Sequence, residues 1–176
     1  MHNYSELITR CTSFTLTTLS EVYERTTTAL QTSGATRLVK TLQMIQLQKA
    51  IMTIGMFSMF EAMLQDELKC RDGFKEAKII LKENNCSDLC EKFIDLELSI
   101  NILKHGKGKS YSALIAKNGG TLKNYIKELN VENYEEGDVS EINTLIDVDD
   151  NFVNYCSEII LQVAEVIRKS NPVVNL

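Results

Sequence analysis

The residues best suited to chemistry lie in one short run, Asn101-Ile-Leu-Lys-His105-Gly-Lys-Gly-Lys-Ser110. Asn101 and His105 are four positions apart, so on a helix their side chains are neighbours on one face. Histidine both gives and takes a proton near neutral pH without a shifted pKa. An asparagine beside it can orient the imidazole or a phosphate. Lys104, Lys107 and Lys109 place positive charge around the pair. Gly106 and Gly108 leave backbone N–H groups uncovered, and Ser110 opens a following helix. This combination suits a small anion site with phosphate as guest. The same residues also describe an ordinary helix C-terminus, with favourable basic side chains and a glycine cap. Both readings stand at this level.

Other motifs are weaker. Gly108-Lys109-Ser110 ends like a phosphate-binding loop, but Leu103 stands where the first glycine belongs, and a helix rather than a strand precedes it. A nucleotide triphosphatase is therefore rejected. Asp147, Asp149, Asn151 and Glu158 have the spacing of a calcium loop, but the obligatory glycine of the sharp turn is replaced by Phe152. The cysteines are Cys11, Cys70, Cys86, Cys90 and Cys156, with no C-x-x-C pair and only His2 and His105 beside them. That set does not make a structural zinc site. Cys86 and Cys90 read as small apolar residues at a helix start. No metal and no cofactor is expected.

The elements that must position the run are helical. The 176 residues include one proline, Pro172 near the end, and are rich in Leu, Ile, Lys and Glu. The first helix is expected over Ser5 to Ser33, with a stripe of Leu7, Ile8, Cys11, Phe14, Leu19, Val22 and Tyr23 against a threonine-crowded surface. Gly34 stops it. A second helix, Ala35 to Cys70, begins with the stripe Leu38, Leu42 and Ile45 and is apolar on nearly every side from Ile51 to Leu64. That predicts a central helix, covered by the others or by a second subunit. Glu61 within it needs a partner if buried. Phe74 to Glu83 follows and ends at Asn84-Asn85. The helix that carries the run starts with Ser87 as N-cap and Asp88 and Glu91 in its first turn. It keeps Leu89, Phe93, Leu96, Ile100 and Leu103 on one face, has a second stripe Ile94, Leu98, Asn101 and His105, and stops at Gly106.

Two weaker helices are expected at Ser110 to Lys117 and Thr121 to Leu129, separated by Gly119-Gly120. Val131 to Asp150 is acidic and irregular. A last helix, Asn151 to Lys169, turns Phe152, Cys156, Ile159, Val163, Val166 and Ile167 inward. The expectation is an all-α, up-and-down helical bundle with short accessory helices, forming a single domain over residues 1–176. Met1 to Arg10 is polar and lacks the pattern of a signal peptide, and Ala50 to Leu64 is too short to cross a bilayer. A cytoplasmic protein with reduced thiols and no membrane partner is expected. The formal charge of −5 argues against a general affinity for nucleic acid and suits a basic protein partner, such as a toxin neutralised by an acidic surface.

Two segments resemble the HEPN family of helical domains, found in bacterial toxin–antitoxin, defence and RNA-processing systems. Phe57-Ser58-Met59-Phe60-Glu61 is similar to the apolar, Phe-Glu-bearing second helix of such proteins. Ile100-Asn101-Ile102-Leu103-Lys104-His105-Gly106 is similar to the family motif: an arginine, a polar residue that is often asparagine, three variable residues, then histidine. Asn101 and His105 match, and Ile100 stands in the arginine position. The resemblance covers about the middle half of the chain. It implies a homodimer with two motifs in one cleft and, in active members, metal-independent RNA cleavage through the ribose 2′-hydroxyl. By the same resemblance His105 is the general acid or base and Asn101 positions it or the phosphate; the basic loop, read from its own residues, makes Lys104, Lys107, Lys109 and Ser110 the expected phosphate- or RNA-binding residues. Without the arginine, a non-catalytic or weakly active site is implied, since losing such a donor costs about 100-fold or more in rate. Lysine lacks the bidentate fork that would replace it.

Overall fold

A computed structural model describes residues 4–127, 142, 144–174 and 176. Among them the chain forms α1 (Tyr4–Leu30), α2 (Thr36–Glu67), α3 (Gly73–Glu83), α4 (Ser87–His105), α5 (Lys109–Ala116), a 3-10 helix (Gly120–Tyr125) and α6 (Asp150–Ser170). The architecture is an all-α bundle. The acidic residues Glu132, Glu135, Glu136, Asp138 and Glu141, and the end of the expected helix at Leu129, lie outside the described residues.

α1 and α2 form an antiparallel pair. The Tyr4 hydroxyl donates to the Met56 carbonyl at 2.7 Å, and the Tyr4 and Phe60 rings stack with centroids 6.3 Å apart. α6 packs against α1, α2, α3 and α4. Of its expected inward face, Phe152, Cys156, Ile159, Val163 and Ile167 are buried, while Val166 is half-buried at the margin. Asp149 caps it by accepting the Phe152 N–H at 2.7 Å, and Arg168 and Lys169 sit in its last turn. Four phenylalanines fill the space between α2, α3 and α4. Phe93 lies 5.6 Å from Phe57, 5.2 Å from Phe74 and 6.4 Å from Phe60, ring centre to ring centre.

Several expectations are corrected. The buried side of α1 is Tyr4, Ile8, Thr12, Leu16 and Thr26, whereas Leu7, Cys11, Phe14 and Tyr23 are exposed. Thr26 enters the core without an outside partner because its hydroxyl bonds the Val22 carbonyl one turn back at 2.7 Å, whereas the buried Thr12 hydroxyl finds no partner among the described residues. Of the two covers expected for α2, the chain's own other helices supply only part, and Met44, Leu47, Ile51 and Met59 remain exposed in the single chain. The N-cap of α4 is Cys86 rather than Ser87, with no side-chain cap bond. In place of an α-helix from Thr121, a 3-10 helix ends at Tyr125, and Ile126 pairs with Ile146 in an isolated antiparallel bridge.

One buried carboxylate ties the 3-10 helix to α4. Asp95 is 1% exposed. It accepts the Thr121 N–H at 2.9 Å, the Thr121 hydroxyl at 3.1 Å and the Lys117 ammonium. Gly120 lies directly over it with φ +55°, leaving no room for a Cβ.

Candidate functional site

The second half of α4 carries the candidate residues on two sides. Ile100 and Ile102 are buried, Asn101 is half-buried, and Lys104 and His105 are exposed. Asn101 and Lys104 open into a small cleft of about 130 Å³ between α2, α3 and α4, where Ser58, Glu61, Glu97 and Ile100 also meet them. Glu97, Asn101 and Lys104 follow one another at helical spacing on α4. Ser58 and Glu61 do the same on α2. The first turn of α3 closes against α2 beside this cleft, because Gly73 brings its backbone to where a Cβ would stand 2.7 Å from the Glu61 carbonyl. Asp72 holds that turn by accepting the Lys75 N–H at 2.8 Å.

The cleft is electrostatically mixed. Lys78 of α3 reaches Glu97 at 2.8 Å, with both side chains largely covered. Glu61 is half-buried rather than fully buried. Burial raises its carboxyl above the ordinary range, Asp72 and Glu97 add to the rise, and Lys104 and Lys78 oppose it. Lys104 and Lys78, on two different helices, supply the opposing positive field, which does not offset the burial.

His105 ends α4. The lining of the cleft stops one residue earlier, at Lys104. Gly106 adopts φ +70° and donates its N–H to the Ile102 carbonyl at 2.8 Å. The chain then turns through Lys107 and Gly108, and Gly108 is the N-cap of α5 without a side-chain cap bond. Lys107 lies over the Tyr111 ring at 5.6 Å from its centre. Lys109 is exposed and Ser110 half-exposed in the first turn of α5. The structure therefore brings Asn101 and Lys104 together with Glu61 in the cleft. It sets His105, Lys107, Lys109 and Ser110 along the adjoining α4–α5 turn.

Sequence reasoning singled out Glu61 but missed Ser58, Lys78 and Glu97. The four-then-three spacing of Glu97, Asn101 and Lys104 was the available signal. Ser58 and Lys78 enter only through the way α2 and α3 cross α4, which no local pattern encodes. At the arginine position of the motif, the Ile100 side chain lines the cleft, so no guanidinium is present there. Among the described residues no group of His, Cys, Asp and Glu is arranged to hold a metal ion, and no helix is long and apolar enough to cross a membrane. No family model, no curated protein and no solved structure matches the chain.

Proposed function

We propose that the chain is a HEPN-like helical protein of the bacterial defence or toxin–antitoxin kind, dimeric and cytoplasmic, with an RNA-facing site that is non-catalytic or weakly active. One observation carries the reading. The two segments that resemble the family, 57–61 on α2 and 100–106 on α4, face each other across one cleft, with Glu61 opposite Asn101 and Lys104. The adjoining turn offers Lys107, Lys109 and the N–H groups at the start of α5 to phosphate. His105 is accessible for proton transfer beside it, and Ser110 is a further hydroxyl donor.

The weakness of the chemistry follows from the same cleft. Ile100 supplies no charge where a developing phosphate charge needs one. Lys104 lines the cleft, but part of its field is spent on Glu61. Cleavage of single-stranded RNA by the purified protein in EDTA tests the catalytic branch, with wild type beside His105→Ala. Slow cleavage that disappears in the variant supports a weak His105-dependent ribonuclease. No cleavage by either supports a binding role, and cleavage that survives in the variant removes His105 from the mechanism.

A second reading has its own observation. A groove of about 530 Å³ ends between Glu24 of α1 and Asp149 and Asp150 at the start of α6, with Tyr23 and Ser20 on its wall. Lys49 pairs with Asp150 at 2.7 Å. This acidic end suits a non-enzymatic immunity protein or antitoxin that holds a basic toxin. Capture of a basic protein from the native host that weakens with salt, and with Glu24→Gln, favours it.

A further inference from the structure

The outer side of the α1–α2 pair is apolar and uncovered. Leu7, Phe14, Met44, Leu47, Ile51 and Met59 are exposed there, Phe14 at 74%, Met44 at 65% and Met59 at 59%. On α1, Leu7, Cys11 and Phe14 share one face by their four-then-three spacing. On α2, Met44, Leu47, Ile51 and Met59 do so with Gly55 among them. The two stripes adjoin, since Phe14 and Met44 line the same groove of about 380 Å³ above Leu19, Val22 and Ile45. Every exposed α2 position from Met44 to Ala62 is uncharged, in a chain whose charged residues are otherwise ordinary in number. Charges return at the edges, with Glu21 on α1 and Asp66 on α2 exposed, and Arg10, which stands between Leu7 and Phe14 on the α1 face, is paired with Glu6 at 3.0 Å. An uncharged centre with a charged rim is the anatomy of a protein interface.

We infer that this face is covered by a second copy of the same chain, α1–α2 against α1–α2. The area is of the right order. Six side chains exposing about 100 Å² each give about 600 Å² per copy, or about 1,200 Å² in all before any rim residue is added, which reaches the range of stable interfaces. The charge is right for a like partner. Two copies at −5 each repel over most of their surfaces, and this uncharged face is where they meet without that penalty. The shape allows two-fold pairing. Gly55 sits at the middle of the stripe, with nothing within 4 Å of where a Cβ would stand. A two-fold axis beside it sets Ile51 of one copy against Met59 of the other, and the reverse. A strongly basic or acidic partner would find no run of counter-charge on the α2 half of this face. The surface belongs to α1 and the outside of α2 rather than to the cleft, so this pairing is distinct from the two-motif dimer that the family resemblance implies, and the inference does not rest on RNA binding.

Sedimentation equilibrium of the full chain from about 1 to 100 µM tests it, because a self-association must follow mass action. Wild type is expected to reach twice 19.9 kDa. Ile51→Glu and Phe14→Glu should raise the dissociation constant by about 100-fold or more, since each buries an unpaired charge at the contact. Both positions are exposed in the single chain, so helicity by circular dichroism should be unchanged. Ile79→Glu, on an exposed apolar residue of α3, should remain dimeric. The Cys11 thiol is exposed in the single chain and should react more slowly with a maleimide as wild type dimerises, but not in Ile51→Glu. A wild type that stays monomeric at the highest concentration overturns the inference. So does a dimer that Ile51→Glu and Phe14→Glu leave intact, or a monomer whose α1–α2 face instead binds phosphatidylcholine–phosphatidylglycerol vesicles.

Discussion

Replacing Gly120 by alanine sets a methyl group against the carboxylate that ties the 3-10 helix to α4. Gly120 has φ +55°, and the left-handed region alone costs a residue with a Cβ about 1 kcal/mol. The added carbon would stand 2.8 Å from Asp95 Cγ and closer still to Oδ2. Asp95 cannot simply retreat, because it is 1% exposed and already accepts from Thr121 N–H, Thr121 Oγ1 and Lys117. Displacing it breaks at least one charge-assisted bond and leaves a buried acceptor short, a further loss of about 2 kcal/mol. The sum is about 3 kcal/mol, and for a chain of this length that lowers Tm by roughly 6–12 °C. Gly34→Ala is the control: nothing lies within 4 Å of its Cβ position, so its effect should stay within about 0.5 kcal/mol. Thermal melts of the two variants beside wild type, followed by circular dichroism, decide the matter. A Gly120→Ala protein that melts with wild type would refute the view that Asp95 is a fixed lock.

Two more outcomes follow from the core and the cleft. Phe93→Ala removes the ring on which Phe57, Phe60 and Phe74 converge and should destabilise by about 3–5 kcal/mol in a denaturant titration; a loss under about 1 kcal/mol would show that the cluster closes around the gap. Burial holds the Glu61 proton more tightly in the folded chain than in the unfolded one. Its contribution is therefore absent at low pH, turns unfavourable as pH rises above the ordinary glutamate value of about 4.3, and is fully unfavourable above the raised value. Glu61→Gln should accordingly melt at or above wild type at neutral pH, with the difference closing towards about pH 4. A variant that is less stable at neutral pH and equal in acid would mean that Lys104 and Lys78 outweigh burial.

How much of this was legible depended on the kind of residue. α4 and α6 could be read because their inward positions are unambiguous apolar side chains: Phe93, Leu96 and Ile100 on one, Phe152, Cys156, Ile159 and Val163 on the other, all buried. α1 could not, because Thr12 and Thr26 occupy its buried side while Leu7 and Phe14 face out, which inverts the usual polarity. α2 was ambiguous in principle. A helix apolar on every side states that its faces must be covered but not by what, and within one chain four of its large side chains, Met44, Leu47, Ile51 and Met59, stay exposed. The cleft was half legible. Glu61 and Asn101 stood out individually, but their meeting depends on how α2 crosses α4. The Asp95 lock depends on Gly120 and Thr121, which lie in a different element and carry no motif.

The central claim is that the α2–α4 cleft and the α4–α5 turn together face RNA. Equilibrium binding of a short single-stranded RNA across salt concentrations tests it most directly, with wild type beside Lys107→Ala/Lys109→Ala. With Lys104, Lys107 and Lys109 each neutralising one phosphate, the logarithm of affinity should fall against the logarithm of salt with a slope of about −2. Removing two of them should bring the slope to about −0.7 and weaken binding at low salt, with the fold intact because both lysines are exposed. RNA binding that is absent at low salt, or that keeps its full slope in the double variant, would contradict the account.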